Sequence, residues 1–216
     1  MKKLTITLVL VSLFTIGYSS EAYQKAMSQS IENLFKAASI PEYIEVANQF
    51  DRIAQIEKTE WLPLYYASYS YIMISYQEPE NAKKDTYLDQ AQKYLDLSMA
   101  IDPKESELYM LQGFLYPMRI NIDPMSRGML YMGKMNEAFD KALELNPDNP
   151  RVYYLRATMT FHMPEAFGGG AAKALPIYKT ASEKFRIFKP KTALSPNWGK
   201  EICESELKTI LDQVKE

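Results

Sequence analysis

Cysteine and histidine are nearly absent from this sequence. Of 216 residues, only Cys203 carries a thiol and only His162 an imidazole. A single thiol excludes an internal disulfide, so the fold must rest on its packed core. One histidine without a cysteine cluster excludes the common zinc constellations. It also leaves a hydrolytic triad a single candidate base, and no G-x-S-x-G elbow is present. Glycine is scarce, at 8 residues. The one glycine run, Gly168-Gly169-Gly170, is not completed by the Lys-Ser or Lys-Thr of a phosphate loop. Charge of either sign is not in excess. The formal net charge is -2, and taking away Lys2 and Lys3 makes it -4. That leaves no basic footprint for nucleic acid or for an anionic membrane. Together these absences point to a binding protein and not to an enzyme, with no cofactor and no metal.

Long apolar runs are confined to the first residues. Lys2 and Lys3 precede a run from Leu4 through Phe14 to Ile16, and small residues follow at Gly17, Ser19 and Ser20. That order is expected of a secretory signal peptide over 1–20, with cleavage after Ser19 or after Ala22. The run is too short for a comfortable membrane span. No cysteine stands nearby to be lipidated. The expectation is a periplasmic or secreted domain over 21–216 with no stable membrane insertion.

That domain reads as helix almost throughout. Leu108, Leu111 and Leu115 form one apolar stripe, and Tyr109, Gly113 and Tyr116 form a second beside it. Two stripes on one helix mean burial on more than one side. Cys203, Leu207, Ile210, Leu211 and Val214 form a single stripe, as expected of a terminal capping helix over 199–215. Prolines at 41, 103, 124, 147 and 150 separate the periodic segments. In Asp123-Pro124 and Asn149-Pro150, a capping residue precedes proline at the first helical position. These signals predict an all-α fold of about nine helices, over 22–37, 41–58, 60–76, 84–101, 105–120, 124–145, 150–162, 171–188 and 199–215. Loops are expected at 77–83, 163–170 and 189–198.

The chain also repeats itself. Ala91, Leu95, Ser98 and Pro103 are spaced by four, three and five residues. Met135, Phe139, Ala142 and Pro147 have the same spacing, and Ala174, Tyr178 and Ala181 begin it a third time. Tyr109 stands six residues past Pro103, and Tyr153 six past Pro147. Small residues let helices approach closely, and the large residue between them fills the space. These offsets resemble the second helix of a tetratricopeptide (TPR) unit followed by the first helix of the next, over about 45–190. The resemblance implies an irregular TPR-like superhelix. It is irregular because Pro103 and Pro147 are 44 residues apart, where the TPR period is 34. Arg156 also stands where the motif carries an apolar residue. The stretch 42–200 is similar to small exported TPR-like proteins common in Bacteroidota. Phe167-Gly168-Gly169-Gly170 before Ala174 resembles, more loosely, the T component associated with TRAP transporters.

Two groups of residues stand out as binding candidates. Arg119, Asp123 and Arg127 lie where the repeat is lengthened. Asp123 is placed to cap the next helix, and either arginine is able to receive a carboxylate. Tyr65, Tyr66 and Tyr69 crowd one helix, and three aromatics within five residues cannot all face one neighbour. The expected role is therefore an exported scaffold that binds a protein or peptide partner in the cell envelope. The alternative is a small-ligand subunit holding an apolar or carboxylate ligand, as the likeness to the T component implies. His162 and Cys203 read as structural, Gly168–Gly170 as a turn, and Trp198 as the anchor of the last helix on the last repeat.

Overall fold

A computed structural model describes residues 20–214. The expected signal peptide therefore lies, except for Ser20, outside the described residues. Among these, nine α-helices follow one another: α1 (Glu21–Lys36), α2 (Ile40–Ile56), α3 (Leu62–Gln77), α4 (Asn81–Ile101), α5 (Ser106–Ile122), α6 (Pro124–Leu145), α7 (Pro150–His162), α8 (Ala171–Ile187) and α9 (Lys200–Gln213). A 3-10 turn over Glu165–Phe167 precedes α8, and no strand occurs among the described residues. The helix starts are chemical. Ser20 accepts from the Tyr23 amide at 3.1 Å, and Ser39 with Glu42 forms a capping box. Asp123 and Asn149 cap α6 and α7, each followed by the expected proline. The expected 77–83 loop is shorter than predicted, because α4 begins at Asn81.

Each helix packs on the next in antiparallel pairs. The odd-numbered helices also touch one another, α1 on α3, α3 on α5 and α5 on α7. They form an inner row, with α2, α4, α6 and α8 behind it. The repeat offsets acquire physical meaning here. A Cβ on Gly113 would stand 2.2 Å from the Phe139 ring, so the small position of α5 exists to admit the large residue of α6. Ser68 on α3 donates to the Ala91 carbonyl on α4, and Ser106 on α5 donates to the Ala142 carbonyl on α6, both at 2.8 Å. The small side chains at 91 and 142 leave those carbonyls open to a neighbouring helix. Tyr109 and Tyr153 each donate to the carbonyl of the proline six residues back, at 3.0 and 2.9 Å. Arg156 fits its apolar register position by laying its guanidinium over the Phe139 ring at 5.7 Å and pairing with Asp140.

The 119–128 stretch is helical on both sides of Asp123, in keeping with the helices expected over 105–120 and 124–145. α5 continues to Ile122, Asp123 alone links it to α6, and Gly128 lies inside a 22-residue helix. The extra length of the repeat makes a taller helical hairpin. At its tip Met125 and Met129 are 94% and 96% exposed. One expectation needs correction: Trp198 does not serve only the last repeat. The segment 188–199 is a strap that returns from α8 across the inner row before α9 begins. On it the Trp198 indole N–H donates to the Tyr65 hydroxyl at 2.9 Å, and the Leu194 carbonyl accepts from the Tyr66 hydroxyl at 2.8 Å.

Candidate functional site

The lengthened hairpin gathers Arg119, Asp123 and Arg127 at one end of the fold. The arginines, however, face α4 and not an open site. Arg127 makes two 2.7 Å hydrogen bonds to the two carboxylate oxygens of Asp85. Arg119 donates to Asp89 at 2.8 Å, with Asp85 3.7 Å away. Asp123 is occupied with its cap, accepting from the Ser126 amide and hydroxyl. The Arg127 hydrogen bonds hold the Asp85 carboxyl below its ordinary value. This cluster ties the base of the overhang to α4.

At the opposite end lies a polar pair that the sequence reading did not single out. Arg151, the largest fully buried side chain, makes a two-pronged contact with Glu107 at 2.6 and 2.8 Å. Asn149 donates to Glu107 at 2.9 Å and to Ser106 at 3.0 Å. Phe188 and Trp198 of the strap lie under the guanidinium, at 4.6 and 5.8 Å. Burial opposes the Arg151 charge, but the Glu107 carboxylate outweighs it and holds the guanidinium charged. The signal was present in the spacing. Glu107 and Arg151 occupy the same register position, 44 residues apart like Pro103 and Pro147, and carry opposite charges.

The three tyrosines divide between the core and the inner face. Tyr65 and Tyr66 are fully buried, edge-on to each other at 5.1 Å, with Phe50 stacked on Tyr66 at 5.2 Å. They are a platform for the strap. Tyr69, one turn further along α3, turns to the inner side and stays partly exposed. Its ring lies 6.4 Å from Phe35 of α1, 6.4 Å from Phe114 of α5 and 5.1 Å from Trp198 of the strap. Met73 and Tyr76 follow at four and seven residues, so they continue the same helical face. The Tyr154 ring of α7 packs on Tyr178 and Phe185 of α8, at 6.4 Å each. Phe35 and Tyr76, 51% and 70% exposed, leave this face open at its rim.

The result is an aromatic inner face in which Phe35 of α1, Tyr69 of α3, Phe114 of α5 and Trp198 of the strap pack on one another. Its lining is aromatic side chains and a thioether, the type of surface that holds an apolar ligand through a few placed polar groups. Burial pushes the Tyr69 phenol up from its ordinary value, so this hydroxyl stays a neutral donor. By contrast, a depression of about 450 Å³ beside Asp89, Gln92, Lys93, Asp96 and Leu97 is open and lined mainly by polar side chains.

The remaining singled-out residues fall in structural places. His162 ends α7, exposed, with its ring 5.0 Å from Phe161. Gly168 and Gly170 have φ of +86° and +93°, which favours glycine. The amides of residues 168, 169 and 170 all donate to protein carbonyls and are not offered to an anion. Cys203 is buried on α9, and burial pushes its thiol up to about 12. Groups of His, Cys, Asp and Glu arranged to hold a metal are absent among the described residues, and no described helix is long and apolar enough to cross a membrane.

Comparison with known proteins adds an extensive likeness. No family model matches the chain, and no curated protein matches it by sequence. Among solved structures, the HusA haemophore from Porphyromonas gingivalis superposes with a TM-score of 0.79 and 27% identity, over 92% of this chain and 97% of that one. A thermophilic TPR protein from Thermus thermophilus superposes with a TM-score of 0.48 and 14% identity, over 88% of this chain and 98% of that one. The chain is an all-α, TPR-like helical repeat, similar along nearly its whole length to a haemophore.

Proposed function

We propose that this protein is an exported carrier that takes a planar, largely apolar ligand of the haem and porphyrin class on the aromatic inner face of α1, α3 and α5. The carrying observation is the likeness to a haemophore over 92% of the chain. The aromatic inner face supports it. Phe35, Tyr69 and Phe114 offer ring faces, and Met73 offers a soft, adaptable sulfur. The strap argues against an extended peptide in the same place, because Leu194 and Trp198 already cover the lower part of the inner row.

The test is a titration of the mature chain with haemin, followed by absorbance in the Soret region. Saturable binding is expected, weakened at least tenfold by Phe35→Ala with Tyr76→Ala, and unchanged by Arg127→Ala at the distant hairpin. Soret spectra that merely add those of free haemin and protein would sink the reading.

A second reading rests on the hairpin tip, where Met125 and Met129 are almost wholly exposed. It is the scaffold role, with a protein partner in the cell envelope recognised near Arg119 and Arg127. Affinity purification from the native envelope tests it. Loss of a partner in Met125→Ser with Met129→Ser supports it, and a partner retained by that variant speaks against the tip. Export is part of both readings. Ser20 caps α1, so cleavage after Ser19 keeps the cap and cleavage after Ala22 removes it. N-terminal sequencing of the processed protein decides between the two.

A further inference from the structure

The formal charge of -2 is an average over two unlike parts of the chain. From residue 171 to residue 200, which spans α8, the strap and the first residue of α9, seven lysines and arginines stand against Glu183 alone. That segment carries +6 and the rest of the chain -8. Two of the seven hold the fold, Lys184 on Asp148 at 2.5 Å and Lys191 on Glu105 at 2.6 Å. Lys179, Arg186, Lys189 and Lys200 are exposed and make no ion pair among the described residues. Packing gathers the last three. A Cβ on Gly199 would stand 3.1 Å from the Phe185 ring, so Lys200 begins α9 beside the last turn of α8, which carries Arg186. Ile187, 61% exposed, ends that turn, and Lys189 follows it. The α8 dipole favours Lys184 and Arg186 at its negative end, but Lys189 lies past it. Lys200 stands at the positive end of α9, where a cation is unfavourable. Helix chemistry therefore does not explain this cluster.

We propose that this basic end docks the protein on an anionic lipid surface, with Arg186, Lys189 and Lys200 over the headgroups and Ile187 dipping between them. The proposal stands apart from the ligand class. Six of the seven cations are lysine, a compact and strongly hydrated charge suited to diffuse attraction by a headgroup layer. A protein partner would favour arginine, because lysine is depleted where proteins meet. Nucleic acid would favour aromatic rings to stack on, whereas the exposed apolar side chain here is the aliphatic Ile187. The contact is peripheral and electrostatic, so added salt weakens it.

The experiment sediments the mature chain with vesicles of phosphatidylcholine, either alone or with about a third phosphatidylglycerol, at about 0.1 M and about 0.5 M salt. Binding is expected to the anionic vesicles only, and only at the lower salt. Arg186→Glu, Lys189→Glu and Lys200→Glu together should lower the partition coefficient at least about tenfold. Lys25→Glu, Lys58→Glu and Lys93→Glu, at exposed lysines elsewhere, change the net charge equally and should lower it about threefold or less. Thermal melting by circular dichroism confirms that each variant is folded. If the first is not, Arg186→Gln with Lys189→Gln takes its place, with a loss of about fivefold expected. Wild type that stays in the supernatant overturns the proposal. Equal binding to neutral vesicles makes the contact apolar and overturns it too. Equal losses in the two sets of variants trace the effect to net charge and not to this end, which also overturns it. Wild type that ignores vesicles but is held by immobilised polyglutamate through the same three residues assigns the end to an acidic protein instead.

Discussion

The two ends of this helical stack use charge differently. At the strap end, Arg151 and Glu107 are sealed from water and joined by Asn149, Ser106 and the Trp198 carbonyl. At the hairpin end, Arg127, Arg119, Asp85 and Asp89 form a partly exposed cluster with methionines standing free beyond it. Geometry is good at both ends, but the surrounding dielectric is not the same. A buried pair contributes little net stability when intact and costs heavily when one partner is lost, whereas a pair in contact with water is worth little either way. The strap end is thus brittle and specific, and the hairpin end tolerant.

Breaking the buried end gives the largest effect. Arg151→Ala leaves the Glu107 carboxylate buried without its cation, and a loss of about 3–5 kcal/mol is expected in urea unfolding. Arg151→Met combined with Glu107→Leu should recover much of that loss, which separates a missing partner from missing volume. Somewhat smaller is the cost of overpacking the α5–α6 contact. Gly113→Ala drives a methyl into the Phe139 ring, and about 1–3 kcal/mol of destabilisation is expected in the same measurement.

Acid sharpens the contrast at the hairpin. The Asp85 carboxyl lies below its ordinary value when folded, so its stabilising contribution is present above that value and lost as pH falls through the folded one. Amides near the α4 start and the hairpin should lose protection from hydrogen exchange below about pH 4, and Asp85→Asn should abolish that pH dependence. The smallest effect belongs to the tip. Met125→Ser and Met129→Ser should each leave stability within about 0.5 kcal/mol. In dilute peroxide these two methionines should become sulfoxides before the fully buried Met27 and Met110, as peptide mapping would read.

The helices were legible because proline, capping residues and a small–large–small rhythm are local signals. Ala91-Leu95-Ser98 and Met135-Phe139-Ala142 announced a helix pair before any coordinate did. The hairpin was half legible. Its extra length showed as a 44-residue spacing, but Ile122-Asp123-Pro124 looks the same whether it ends a loop or joins two helices directly. The aromatic face was least legible. Tyr69 was singled out, but its neighbours Phe35, Phe114 and Trp198 come from three other segments. Only tertiary packing brings them together. Arg119 and Arg127 drew attention as free cations because their partners, Asp85 and Asp89, lie 30 or more residues earlier.

The strap also changes how the chain becomes a protein. Stacked repeats ordinarily touch only their neighbours, so folding can begin anywhere and spread. Here the hydrogen bond from Trp198 to Tyr65 spans 133 residues, and the one from Tyr66 to Leu194 spans 128. Such contacts raise the contact order and slow folding relative to a simple helical array. During synthesis, Tyr65 and Tyr66 keep an uncovered platform until Leu194 and Trp198 have followed them from the ribosome. A chain of this design carries an unfinished platform through at least 128 residues of elongation.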